Sequence, residues 1–195
     1  DRYCASFTPP HSGLYWYWFT FDTADGPRFC ARGYGGRSEV LDSMGDRYQL
    51  TVYDPAYQPP RWFGEGITYN IFPDRFCRDR EPVQPEGEGI APRVLHENWD
   101  DLPVYRPDEH GEILNNDFFG GTLRGVMEKL DYLESLHVQT IYFNPIFQAY
   151  SNHRYDTGDY KRIDPLLGSD EDFKTLCEQA KKRGMRVVLD GVFNH

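Results

Sequence analysis

Hydrophobic positions along the chain follow two patterns, with the change near residue 65. Before it the apolar runs are short and punctuated. Gly13 to Phe21 (GLYWYWFTF) is a dense aromatic run, Asp25-Gly26 is a turn signal leading into Arg28 to Ala31, and Tyr48 to Tyr53 (YQLTVY) ends at Asp54-Pro55. Aromatic and β-branched residues between such breakers predict strands, here part of a β-sandwich with the aromatic run in its core. Pro59-Pro60 then interrupts the chain, and Gly64 to Gly66 marks the boundary between a unit 1–65 and a unit 66–195.

From Ile67 onward strand and helix patterns alternate. Ile67 to Phe72 is a first strand; Leu123, Val126, Met127, Leu130, Leu133 and Leu136 recur at helical spacing; Val138 to Phe143 is a second strand. The second helix has clear ends. Ser169 with Asp172 forms a capping pattern, acids 170 to 172 suit the positive end of the helix dipole, and Lys181, Lys182 and Arg183 suit the other before Gly184 stops it. Phe173, Leu176, Cys177 and Ala180 supply its buried stripe, and Met185 to Phe193 (MRVVLDGVF) reads as a third strand. Strand, helix, strand, helix, strand predicts a parallel α/β fold. Its connections are lopsided: residues 73–121 and 144–168 lead from strand to helix, whereas each helix returns to the next strand within one or two residues. Both long connections therefore leave the carboxyl ends of strands, where parallel α/β folds place their chemistry.

Charge sharpens this. The chain has 31 Asp and Glu against 21 Lys and Arg, a formal net charge of −10. Nucleic acid and anionic membrane surfaces are poor partners for such a chain. Twelve acids and five arginines fall between Pro73 and Gly121, so the acidity is concentrated in the first long connection. Apolar runs are far shorter than the roughly 20 residues that span a bilayer, and the start of the chain carries no basic-then-apolar leader pattern. Cys4, Cys30, Cys77 and Cys177 show no metal-like spacing, which predicts a reduced, cytoplasmic-type chain. Aromatics make up 16% of residues, a content that suits either a β core or stacking surfaces for sugars.

The strand ends carry five blocks in order: Tyr69-Asn70-Ile71-Phe72-Pro73-Asp74-Arg75-Phe76, Phe118-Phe119-Gly120-Gly121, Asn144-Pro145-Ile146-Phe147, Ser151 through Tyr160 (SNHRYDTGDY), and Asp190-Gly191-Val192-Phe193-Asn194-His195. The series resembles the α-amylase superfamily of retaining glycoside hydrolases, most closely its neopullulanase, cyclomaltodextrinase and maltogenic amylase branch. The closing D-x-V-x-N-H is similar to the first of that superfamily's short signature regions. The resemblance implies a fold: part of a β-sandwich, then the first three strands and two helices of an incomplete TIM (β/α)8 barrel. It also implies a reaction, in which an aspartate nucleophile and a glutamate acid/base cleave glucosidic bonds through a covalent intermediate. The substrate would be an α-glucan such as maltodextrin, cyclodextrin or pullulan, cut at α-1,4 bonds with α-1,6 bonds left open.

Carried over by resemblance, His195 would hydrogen-bond sugar hydroxyls in subsite −1, Tyr155 would stack on that sugar ring, His153 would line the same pocket, and Asp190 would orient an arginine from the next barrel strand. In the family the nucleophile and acid/base follow the fourth and fifth strands, so no acid of this chain is assigned either role, and the chain itself is expected to be inactive and poorly monomeric. If the partner arginine of Asp190 lies outside this chain, that carboxylate is expected to be uncompensated. Many relatives bind calcium through residues after the D-R-F block and after the double glycine. Here Cys77, Arg78, Asp79 and Arg80 follow the one and Thr122 the other, so no calcium or other cofactor is expected. Asp156, Asp159 and Tyr160 read as loop-fixing, and Thr122 and Ser169 as helix caps. Two rivals remain: a non-catalytic carbohydrate-binding fragment, and a transglycosylase or phosphorylase of the same superfamily. Oligomeric state is left open, a homo-oligomer included.

Overall fold

The computed structural model describes residues 4–87, 90 and 92–193. The chain divides into two compact units, 1–60 and 61–195. The first holds five strands, β1 (Gly13–Tyr17), β2 (Phe19–Thr23), β3 (Gly26–Arg32), β4 (Ser38–Leu41) and β5 (Tyr48–Val52). β1 pairs antiparallel with β5, and β2, β3 and β4 form a second antiparallel sheet. The aromatic run is thus not one strand. It breaks at Trp18, and its two halves enter different sheets. Nor is it a core: Trp16, Tyr17, Trp18 and Phe19 are exposed, and Ala31 is the one fully buried hydrophobic residue among those described in this unit. Sheets of two and three strands offer too little facing surface to cover so many rings.

The second unit is built on a parallel sheet of β6 (Ile67–Ile71), β9 (Val138–Phe143) and β12 (Arg186–Leu189), with β9 in the middle. Between β6 and β9 the chain forms the two-residue strands β7 (Val94–Leu95) and β8 (Asp117–Phe118), which pair with each other. Helices α1 (Leu123–Glu128) and α2 (Leu130–Ser135) follow. Between β9 and helix α3 (Asp170–Lys182) lies an antiparallel hairpin of β10 (Phe147–Ala149) and β11 (Thr157–Ile163). Both long connections therefore carry small sheets of their own.

The first helix differs from its expected form. One helical stripe from Leu123 to Leu136 becomes two helices, so the described residues of the unit hold three α-helices rather than two. At Lys129 the backbone turns to φ −98°, ψ 3°, and its N–H bonds the carbonyl of Val126, three residues back, at 3.0 Å. The tighter turn keeps Leu123, Val126, Leu130 and Leu133 all fully buried while leaving Leu136 exposed. They pack with Ile71, Ile141, Phe143, Leu176 and Ala180 into one core, each Leu, Ile, Val or Phe side chain contributing about 1.5–3 kcal/mol.

Helix ends follow their chemistry. Thr122 Oγ1 accepts the Gly125 N–H at 2.9 Å, and Ser169 and Asp172 make the reciprocal capping box at α3. Gly184 ends α3 at φ +75°, with the Met185 N–H reaching back to the Ala180 carbonyl at 2.9 Å. β12 is shorter than its apolar run suggests, ending at Leu189, and Phe193 is exposed. No helix among the described residues is long and apolar enough to cross a membrane.

Candidate functional site

The three parallel strands end flush. Ile71, Phe143 and Leu189 are in register, and the next residues continue the ladder: the Asn144 N–H bonds the Ile71 carbonyl and the Asp190 N–H bonds the Phe143 carbonyl, both at 3.0 Å. Asn144 and Asp190 therefore emerge side by side at the carboxyl end of the sheet.

The connection 150–156, at the tip of the β10–β11 hairpin, brings Tyr155 to the same place. Its hydroxyl donates to Asp190 Oδ2 at 2.7 Å and accepts from Asn144 Nδ2 at 3.3 Å. The hydrogen bond to Asp190, with burial and the negative carboxylate, pushes the Tyr155 phenol up to about 12. Tyr142, on β9, is also held above the ordinary phenol value by burial and by Asp190. Asp190 is half-buried, and among the described residues no cationic side chain pairs with it. It is not bare, however, because the Tyr155 hydroxyl supplies a donor. Asn144 Oδ1 is buried and has no hydrogen-bond partner among the described residues.

His153 lies beside Tyr155, with ring centroids 5.8 Å apart. Its Nδ1 accepts the Tyr155 N–H at 3.1 Å, so in the neutral ring the proton sits on Nε2 and leaves a donor free. The turn is braced by Ser151, whose Oγ meets His153 Nδ1 at 3.0 Å and also bonds Asp156 Oδ1. Burial raises the Asp156 carboxyl, but the hydroxyl and N–H of Ser151 outweigh it and hold it low. Tyr160 donates to the Val192 carbonyl at 2.7 Å, tying the hairpin to the segment after β12. The structure thus brings together Tyr155, His153 and Asp190. His195 lies outside the described residues.

Sequence patterns did not single out the residues beneath this turn. Asp164 is completely buried and receives a forked pair from Arg93, Nη1 to Oδ1 at 2.7 Å and Nη2 to Oδ2 at 2.6 Å. Arg154, also fully buried, reaches the same Asp164 Oδ1 at 3.2 Å. Both guanidinium groups lie over the ring of Phe118, at 4.5 and 5.3 Å from its centroid. Burial raises the Asp164 carboxyl, yet the two arginines hold it below its usual value.

A second buried carboxylate, Asp117, accepts from Val104 N–H, His96 Nε2 and Asn152 Nδ2, each at 3.0 Å. Burial raises it too, and Val104, His96 and Arg75 together bring it below the ordinary range. Arg93, Asp117 and Asp164 lie far apart along the chain, where a charged residue looks like surface. The apolar neighbours Phe118 and Phe119 of Asp117, and Ile163, Leu166 and Leu167 around Asp164, are the local sign that these carboxylates are buried.

The glycines of the second sequence block have a steric cause. Asp74, fully buried, accepts the N–H groups of Phe119 at 3.0 Å and Gly120 at 3.2 Å. Gly121 lies so close that any Cβ would overlap the Pro73 carbonyl.

The chain has relatives among known proteins. Residues 70–195 match the family described as alpha amylase, catalytic domain. The chain is 43% identical over 192 residues to an amylopullulanase of Thermoanaerobacter thermohydrosulfuricus, covering 91% of this chain and 13% of that protein. It is 38% identical over 198 residues to the intracellular maltogenic amylase of Bacillus subtilis (strain 168), covering 100% of this chain and 31% of that protein. Among solved structures it resembles the type III pullulan hydrolase from Thermococcus kodakarensis, with a TM-score of 0.56 and 31% identity over 85% of this chain and 30% of that one. The chain thus spans less than a third of the length of each of these relatives.

Proposed function

This chain belongs to the alpha-amylase family through the catalytic domain that residues 70–195 match, and on that premise we propose that its strand ends hold one glucose unit of an α-glucan for glycosidic cleavage. The three parallel strands and their helices are consistent with the TIM barrel of that family, of which the described residues hold part. We read the antiparallel sheets of the first unit as part of a β-sandwich. The free thiols and the intracellular Bacillus relative favour a cytoplasmic setting.

The observation that carries the reading is the 2.7 Å bond from Tyr155 to Asp190, which sets an aromatic face at the mouth of the sheet. In the proposed roles Tyr155 stacks on the sugar ring of subsite −1, where its π face would stabilise the positive charge of an oxocarbenium-like transition state. His153, with its ring N–H free, lines that pocket, and hydrogen bonding to the hydroxyls of the same sugar is the role assigned to His195. Asp190 fixes the Tyr155 phenol and presents its remaining lone pairs to an arginine. Nucleophile and acid/base are assigned to no residue of this chain.

Calcium does not fit the Cys77 to Arg80 run. Asp79, the one acid in the Cys77 to Arg80 run, already accepts from Thr122 Oγ1 at 2.6 Å and faces Arg80 at 3.4 Å. A hard cation needs several oxygens and is repelled by the adjacent guanidinium groups of Arg78 and Arg80. Thermal unfolding is expected to be the same in millimolar calcium and in EDTA.

Titration calorimetry with maltoheptaose tests the site. Binding by the protein, weakened at least about tenfold by Tyr155→Ala, is the expected result. No heat at millimolar ligand, or an affinity indifferent to Tyr155→Ala, would refute the assignment.

A further inference from the structure

We infer that Arg93 is a positioning residue: acting through Asp164 and Arg154, it sets the orientation of His153 and Tyr155 from the far side of the turn that carries them. This inference rests on the reading of Tyr155 and His153 as sugar-facing residues.

The turn alternates. His153 and Tyr155 are partly exposed, while Asn152 and Arg154 beside them are buried. Arg154 has φ +61°, a left-handed conformation that a side chain with a Cβ adopts at a cost. That conformation sends its guanidinium inward between two residues that face outward. It is held there by the Asn152 carbonyl at 2.8 Å, by Asp164 at 3.2 Å and by the ring of Phe118.

Asp164 cannot hold Arg154 alone in a fixed place, because one carboxylate oxygen permits several approach angles. The Leu166 N–H, at 3.1 Å from the same Oδ1, narrows that freedom and Arg93 removes the rest. Its fork occupies both oxygens of Asp164 and fixes the plane of the carboxylate. Its Nη2 also donates to the Ala149 carbonyl at 3.1 Å, just before the turn. Arg93 is itself pinned at the main chain, where its N–H reaches Gln84 Oε1 at 3.1 Å and its carbonyl accepts from Gln84 Nε2. The acidic first connection thereby grips the second from below.

Stability alone does not account for this arrangement. Two guanidinium groups against one carboxylate leave a buried positive charge, and Arg154 Nε has no partner among the described residues. An apolar cluster of equal volume would stabilise a core at least as well. What the ion cluster supplies instead is a defined angle for the backbone at Arg154, and that angle sets the directions of the two rings on either side.

The complete polypeptide is the material for the test, with Arg93→Met removing the fork and Arg93→Lys keeping the charge so that folding is safeguarded. Amide hydrogen exchange at residues 151–157 should accelerate by about tenfold or more in Arg93→Met, and less in Arg93→Lys, with exchange in β9 unchanged. The Tyr155 phenol, identified by the 13Cζ signal that vanishes in Tyr155→Phe, should stay silent between about pH 9 and about pH 11 in the parent protein and begin to titrate there in Arg93→Met. Hydrolysis of maltotriose should lose kcat more than it gains KM, since the ring matters most in the transition state. Unmoved exchange and titration in both variants would overturn the inference, as would a loosened turn with kcat unchanged. A parent protein that cleaves no α-glucan would overturn the functional reading instead, because exchange and phenol titration are read without sugar.

Discussion

Replacing Asp74 by Ala tests how the first connection is anchored. The Asp74 carboxylate is fully buried and accepts two main-chain N–H groups, from Phe119 and Gly120, together with the side chain of Arg75 at 3.2 Å. Alanine leaves both N–H groups without an acceptor in a space closed to water. A buried donor left unsatisfied costs about 1–3 kcal/mol, so the pair amounts to about 2–6 kcal/mol. Arg75 adds little to this, because it is partly exposed and keeps Asp117 as a partner at 3.5 Å. With a urea slope of about 2 kcal/mol per molar, the unfolding midpoint should fall by about 1–3 M. Asp74→Asn, which keeps one acceptor oxygen, should fall between the parent and Asp74→Ala. Hydrogen exchange should localise the damage, with the amides of Phe119 and Gly120 losing protection first. A loss below about 1 kcal/mol for Asp74→Ala would show that other acceptors reach those amides, and the anchoring role would be wrong.

Other substitutions report on separate features. Gly121→Ala should cost about 3 kcal/mol in urea unfolding, since the added methyl meets main-chain atoms of Pro73 and Asp74 that cannot swing aside; an unchanged midpoint would contradict it. Ser169→Ala removes half of the capping box at α3 and should cost about 1 kcal/mol by the same assay. Asp117 and Asp164 are both held below their ordinary value in the folded state, so the unfolded chain takes up their protons first as pH falls. Their stabilisation is therefore complete above the ordinary Asp value of about 3.9 and is lost as pH drops below it toward the lowered folded values. Thermal unfolding followed from about pH 6 to about pH 2 should show a midpoint that declines below about pH 4, and a flat profile there would refute the assignment.

What the sequence made legible was what is local or periodic. The apolar runs of β6 and β9 and the capped stripe of α3 needed only neighbouring residues to be recognised, and these elements occupy their expected places. Elements set by distant partners were not readable. β7 and β8 are two residues each and exist because 94–95 and 117–118 meet across a long excursion. β4 has turn residues on either side but no aromatic residue of its own, and it owes its strand form to β3. The break at Lys129 lies inside an unbroken apolar stripe, so periodicity passes over it. At the site, Tyr155, His153 and Asp190 stood out through their sequence blocks. Arg93 and Asp164 did not, because 71 residues separate them and the apolar residues around Asp164 do not say which cation it meets.

The excursion between β7 and β8 has a practical side. Val94 and Leu95 pair with Asp117 and Phe118, so the segment leaves and rejoins the protein at the same two-residue ladder. Its outer part, residues 106–113, closes on itself: Asp108 Oδ1 accepts the N–H groups of His110 and Glu112, and the Asp108 N–H meets the Glu112 carbonyl at 2.9 Å. Among the described residues, hydrogen bonds that grip the rest of the unit lie inside that tip, at Glu97, Val104, Asn115 and Asp117. Residues 106–113 are thus a port for engineering, where a fluorophore, an affinity peptide or a foreign binding loop can be spliced in while the frame beneath keeps its hydrogen bonds.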